Sequence, residues 1–110
     1  WVIIPTTPDS SSLESVRSTM NLLKELKERE HWQGKVLGIL PTIYEERTRE
    51  SKASMDDLKS VFPTILLPPI SQRTVVRDAR SRGVTIFEYD PKSIVAKEYD
   101  KLAQILIRNV

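Results

Sequence analysis

The chain has 110 residues, of which 39% are hydrophobic, so it can bury one modest core and forms one domain or part of one. It has no cysteine and a single histidine, which excludes disulfides, thiolate metal sites, cysteine nucleophiles and multi-histidine metal sites built within it. Its net charge of +2 is too small to indicate nucleic-acid binding unless the charges are clustered.

The chain order predicts four short strands that alternate with helices. The strands are expected near residues 1–4, 35–41, 64–67 and 84–89, where apolar runs end at prolines or polar turns. Because the chain opens inside the first of these runs, we expect it to be a fragment of a longer protein. Strands that alternate with helices pair in parallel through right-handed crossovers. We therefore predict an α/β fold with a mostly parallel sheet flanked by helices, and a single domain over 1–110.

Local signals set the expected helix boundaries. Ser11 followed by Glu14 fits a capping box that opens the first helix, which fades near residue 30. Helices are expected over 51–62 and 74–82, with Gly83 as the left-handed cap of the second. The last helix carries an apolar stripe, so we expect Leu102 and Ile105 to be buried.

The stretch from residue 38 to residue 48 begins as a buried-strand pattern, breaks at Pro41 and becomes charged. Ligands of parallel α/β proteins bind at the carboxyl ends of strands, where functional loops are also carried. Thr42, directly after this break, is therefore a candidate edge of a binding site. The alternative is an ordinary strand-to-helix connection.

A phosphate-binding loop is missing from the sequence. The three glycines, at 34, 38 and 83, are isolated, whereas phosphate-cradling loops need clustered glycines at a helix start and a lysine. No acidic residue directly follows an apolar strand to handle magnesium, unless Asp90 is counted. We expect no nucleotide hydrolysis from this chain alone.

The stretch Gly38–Thr48 resembles the G-[IV]-L-x-T-[MIL]-[YF]-[DE]-x-R-T segment of the ParA/Soj-type partition ATPases, a deviant Walker P-loop family. Three further blocks, at 2–14, 70–83 and 89–99, resemble segments of that family in the same order and spacing. Four positions depart from the family pattern: Ser15, Ser71, Val75 and Val95. The resemblance therefore indicates a divergent branch.

The resemblance implies that the chain is the C-terminal half of a P-loop NTPase-like fold. In the family the phosphate loop and the magnesium-handling aspartates lie in the N-terminal half. ATP and Mg²⁺ are thus implied cofactors whose ligands lie mostly outside this chain.

Five positions are implied to lie near the bound nucleotide: Thr42, Ile70, Ser71, Asp90 and Pro91. A hydroxyl and free backbone groups at strand ends can hydrogen-bond the edge of adenine, while Ile70 can pack on its face. The alternative is that these are only strand-end and turn residues.

Five arginines are implied to contact DNA without sequence preference: Arg47, Arg73, Arg77, Arg80 and Arg82. Between residues 71 and 82 four of them are accompanied by a single acid, Asp78. Such clustering is typical of phosphate contact, although arginines on an exposed helix can also be merely solvated.

The resemblance implies a cytoplasmic, nucleoid-associated protein that binds ATP, forms a homodimer and binds DNA non-specifically. A ParB-like partner would stimulate hydrolysis and drive plasmid or chromosome partition. One alternative is a MinD-like or other cargo-positioning relative. A MinD-like protein is expected to end in a membrane helix rich in basic residues, whereas Arg108 is the one basic residue in 104–110. The other is a stand-alone α/β interaction module without nucleotide chemistry.

Overall fold

A computed structural model describes residues 1–110 of the chain. Strand β1 (Val2–Thr6) and strand β2 (Val36–Pro41) pair in parallel, with Ile4 opposite Ile39 and Thr6 opposite Pro41. Helix α1 (Ser12–Arg29) forms the crossover between them. The first two predicted strands and the helix between them are confirmed.

The third predicted strand, 64–67, lies parallel to β2 on the side away from β1 but forms only an isolated bridge, Ile39 to Leu66. The Ile39 N–H donates to the Ile65 carbonyl and the Leu67 N–H donates to the Ile39 carbonyl, each at 2.8 Å. Regular pairing stops after Leu67 because Pro68 and Pro69 have no N–H to donate.

The fourth predicted strand, 84–89, is wrong: helix α4 (Ile86–Tyr89) occupies this stretch. Thr85 and Glu88 form a complete capping box in which the Glu88 N–H donates to the Thr85 hydroxyl at 3.1 Å. In return the Thr85 N–H donates to the Glu88 carboxylate at 3.2 Å. The apolar run predicted a strand, but these two reciprocal hydrogen bonds fix a helical turn.

Helices α2 (Arg49–Val61) and α3 (Thr74–Ser81) lie close to their predicted bounds, and α5 (Ile94–Asn109) is the predicted last helix. Gly83 has φ +67°, as expected of a left-handed cap. The capping box predicted for Ser11 and Glu14 does not form. Instead the Ser11 N–H and hydroxyl both donate to the Asp9 carboxylate, at 2.9 and 2.8 Å.

Two apolar cores lie on either side of β2. One contains Ile4, Val16, Ile39 and Leu58; the other is built around Leu40, Leu67, Ile70, Val95 and Leu102. Leu102 is buried as predicted, whereas Ile105 is only half-buried and packs against the edge of the second core. None of the helices is long and apolar enough to cross a lipid bilayer.

Candidate functional site

Two chain segments leave the same edge of the sheet and are tied together by backbone hydrogen bonds. The Ile70 N–H donates to the Pro41 carbonyl at 2.8 Å, and the Tyr44 N–H donates to the Ile70 carbonyl at 3.0 Å. The Gln72 N–H then donates to the Tyr44 carbonyl at 2.9 Å. This ladder extends the parallel pairing beyond β2, so the side chains of 42–44 and 70–73 are held next to each other.

A cavity of about 200 Å³, here called the first cleft, opens where these segments meet α3. Six residues singled out in the sequence line it: Thr42, Ile70, Ser71, Arg73, Arg77 and Arg80. Small-molecule sites usually have roughly 300–1,000 Å³, so the first cleft by itself can enclose only part of a nucleotide-sized ligand. The first cleft combines hydroxyl groups, the apolar side chain of Ile70 and three guanidinium groups. This combination suits an anionic ligand that also carries a flat ring.

Ser71 is fixed in the first cleft by Glu98 from α5. The Ser71 N–H donates to one carboxylate oxygen at 3.0 Å and the Ser71 hydroxyl donates to the other at 2.8 Å. Hydrogen bonds to a charged carboxylate are stronger than neutral ones. Sequence reasoning missed Glu98, because nothing in the helical spacing of α5 distinguishes it from an exposed acid such as Asp100.

Ile43 has a left-handed backbone conformation, with φ +55°. A β-branched residue in this region is an outlier that costs on the order of 1–3 kcal/mol. Its neighbours hold it there, since the Thr42 N–H donates to the Thr6 carbonyl at 2.8 Å and Tyr44 is tied to Ile70. The Ile43 side chain is 53% exposed and lines the first cleft. No sequence pattern indicates this strain.

A second cleft, of about 360 Å³, lies on the other side of Arg73 and contains Arg47. Arg73 borders both clefts, so it connects the arginines of α3 to Arg47. Its Nη2 lies 3.5 Å from the Glu46 carboxylate, while its Nε is buried and has no hydrogen-bond partner.

Three of the predicted site residues lie outside both clefts. Asp90 and Pro91 form the turn before α5, where the Asp90 carboxylate accepts a hydrogen bond from the Lys92 N–H at 3.2 Å. The Arg82 guanidinium is 5.3 Å from the centre of the Tyr89 ring, a cation–π distance.

The side chains of this chain do not build a metal site by themselves. No group of three or more His, Asp or Glu side chains lies close enough together to hold a metal ion. Mg²⁺ prefers carboxylates together with substrate phosphates. The first cleft has no carboxylate in its lining, and the second has only Glu45 and Glu46, beside two arginines.

No family model matches the chain, but individual relatives do. It is 28% identical to the maintenance of carboxysome distribution protein A of Synechococcus elongatus, covering 87% of this chain and 43% of that protein. It is also 28% identical to the chromosome-partitioning ATPase Soj of Thermus thermophilus, covering 99% of this chain and 44% of that protein. A protein from Methanocaldococcus jannaschii is 27% identical over the whole chain and 43% of its own length. The chain thus spans less than half the length of the relatives it matches.

The solved structures of Cyanothece McdA superpose on the chain with a TM-score of 0.78, both in the apo form and in a complex of a variant with ATP. The superposition covers 94% of this chain and 42–43% of McdA, at 18–19% identity. This likeness confirms the predicted α/β class, a parallel sheet flanked by helices in a P-loop NTPase-like fold. The share of about 43% fits a C-terminal half.

Proposed function

We propose that this chain, which is related to the ParA/Soj-type partition ATPases, is the C-terminal half of an ATPase that positions cargo. Residues 1–110 would form a single unit, with the phosphate loop supplied by the preceding part of the protein. The observation that carries the proposal is the convergence of strand-end hydroxyls and arginines at one edge of the sheet. A module without nucleotide chemistry would not explain why both sets of residues share a cleft.

The nucleotide base would lie in the first cleft. Thr42 and Ser71 offer hydrogen-bonding groups to its edge, and Ile70 packs against its face. Asp90 and Pro91 would border the pocket from the turn before α5. The solved complex of McdA with ATP supports ATP as the nucleotide. Mg²⁺ would be held by residues outside this chain, and ATP would supply the free energy of a binding and release cycle.

Non-specific DNA would bind along the arginines. Arg73, Arg77 and Arg80 share the first cleft and Arg47 shares the second with Arg73, so four guanidinium groups border two adjoining depressions. Arg82, stacked near Tyr89, would contact DNA only by leaving that ring. Guanidinium groups bind phosphate without reading bases, which suits a protein that binds any duplex.

In the complete protein, ATP would favour a homodimer on the nucleoid, in the cytoplasm, and a ParB-like partner would stimulate hydrolysis and release. Plasmid or chromosome partition is one form of this activity. The relative named for carboxysome distribution favours a second form, in which the cargo is a body such as a carboxysome rather than DNA.

The test is an ATP-dependence experiment on the full-length protein. Its affinity for two unrelated DNA duplexes would be measured with ATP and without nucleotide, over a range of salt concentrations. The proposal predicts ATP-dependent binding, equal for both duplexes, that weakens steeply with salt. Binding that is absent under all these conditions would contradict the DNA part of the proposal, and failure to bind ATP would contradict its nucleotide part.

A further inference from the structure

Arg73 and Glu46 form the only ion pair within 4.0 Å in a chain of 17 basic and 15 acidic residues. The pair joins the loop after β2 to the residue just before α3, between the two clefts. It is therefore the one place where an acid lies directly against the arginines assigned to DNA.

The ion pair is weak enough for Arg73 to exchange Glu46 for another anionic partner. Its 3.5 Å separation is long for a charge-assisted hydrogen bond, and the side chains of Arg73 and Glu46 are 36% and 65% exposed. Exposed ion pairs of this kind contribute little stability. Glu46 occupies one terminal nitrogen of the guanidinium, while the buried Nε has no partner.

A phosphate group can make more hydrogen bonds to Arg73 than the single one that Glu46 makes in this geometry. Guanidinium presents five donors in a planar fork that matches phosphate with two parallel hydrogen bonds. The other side chains that line the second cleft are Arg47, Glu45 and neutral groups. Glu46 is therefore the acid nearest to Arg73 and the one that competes with a phosphate for it.

We propose that Glu46 is an acidic latch that holds Arg73 and competes with DNA phosphate for it. The latch rests on the proposed DNA-binding function and adds its regulation. With Glu46 in place, a phosphate must displace a carboxylate before Arg73 contributes, so the affinity for DNA is lower than the arginines alone would give. A lower affinity for DNA suits a protein that binds and releases DNA repeatedly.

The experiment is a double-mutant cycle in the ATP-bound full-length protein, read out as affinity for one duplex over a series of salt concentrations. Glu46→Gln should bind about 2–5 times more tightly at low salt, since an exposed pair is worth roughly that factor. The slope of log K against log salt should steepen by up to about 0.9 for each additional phosphate that the protein neutralises. Glu45→Gln is the matched control, because it removes the same charge from the same cleft without breaking an ion pair.

In an Arg73→Ala background, Glu46→Gln should add no more than Glu45→Gln does. Circular dichroism of each variant checks that it is folded. The latch is wrong if Glu46→Gln and Glu45→Gln tighten binding equally, or if the effect of Glu46→Gln persists undiminished without Arg73. In those cases a weaker binding of Arg73→Ala would still support the proposed function. If Arg73→Ala itself leaves DNA affinity unchanged, Arg73 does not bind phosphate and the latch is likewise overturned.

Discussion

The carboxylate of Glu98 accepts both hydrogen bonds that Ser71 can donate, at 3.0 Å from the backbone N–H and 2.8 Å from the hydroxyl. Helix α5 is thereby joined to the strand-end loop that forms the first cleft. The hydroxyl proton is engaged, so the Ser71 hydroxyl has only its oxygen lone pairs left for a further hydrogen bond, as an acceptor.

Glu98→Ala should lower the free energy of unfolding by about 1–3 kcal/mol, because it leaves two half-buried donors of Ser71 without a partner. It should also weaken nucleotide binding by loosening the loop. Urea denaturation and nucleotide titration of the full-length protein measure the two effects. Glu28→Ala, at an exposed position of α1, is the control and should change neither quantity. A Glu98→Ala protein that matches this control would show that the contact does not organise the cleft.

Ile43→Gly should be more stable than Ile43→Ala by about 1 kcal/mol. Alanine keeps the cost of a side chain at φ +55°, whereas glycine adopts this conformation freely. Both changes remove the same largely exposed side chain, so the comparison isolates the backbone. Thermal unfolding of the two variants measures the difference. Equal stability, or a more stable alanine variant, would mean that the position is not strained.

Leu102→Ala should lower the free energy of unfolding by about 2–5 kcal/mol, since Leu102 is 8% exposed and belongs to the core that also contains Ile70. Ile107→Ala on the same helix is the control, because Ile107 is 77% exposed. Chemical denaturation provides both values. A loss below about 0.5 kcal/mol for Leu102→Ala would show that α5 is not docked as described.

Two hydrogen bonds from Ser11 lower the pKa of Asp9 below its ordinary value of 3.8, and the one from the Ser11 hydroxyl has the larger effect. A carboxyl whose pKa is lower in the folded than in the unfolded state stabilises the fold above its unfolded-state pKa. This contribution is lost as the pH falls through the folded-state pKa. The unfolding midpoint of the wild type should therefore drop more between about pH 5 and pH 2 than that of Asp9→Asn, which cannot titrate at this position. Parallel curves would mean that the Asp9 contact adds no pH-dependent stability.

Much of the fold could be predicted from the sequence because its signals are local. The apolar run 36–40 and the helical spacing of α1, α2 and α5 each decide an element without help from distant residues. Where two local signals compete, side-chain hydrogen bonds decide the outcome. The capping box of Thr85 and Glu88 turns an apolar run into a helix. Ser11 binds Asp9 and does not form the predicted capping box with Glu14.

The site was predictable to the extent that parallel strands end at one edge. That rule brings Thr42 together with Ile70 and Ser71, and the arginines that follow them share the cleft. Glu98, the strain at Ile43 and the ion pair of Glu46 depend on interactions between distant segments. No periodicity or spacing within one segment encodes such interactions. Whether the cleft residues bind nucleotide and DNA stays a prediction.

The most direct measurement is the salt dependence of DNA binding by the ATP-bound full-length protein carrying Arg47→Ala. Each phosphate that a protein neutralises contributes about 0.9 to the slope of log K against log salt. We predict a slope flatter by about that amount for each phosphate that the variant no longer binds, equal weakening on unrelated duplexes and little change in nucleotide binding. Arg29→Ala, at the far end of α1, is the control and should leave the slope unchanged. If Arg47→Ala and the pair Arg73→Ala/Arg77→Ala all retain the wild-type affinity and slope, the arginines of the two clefts are a solvated surface and the proposed DNA-binding edge is contradicted.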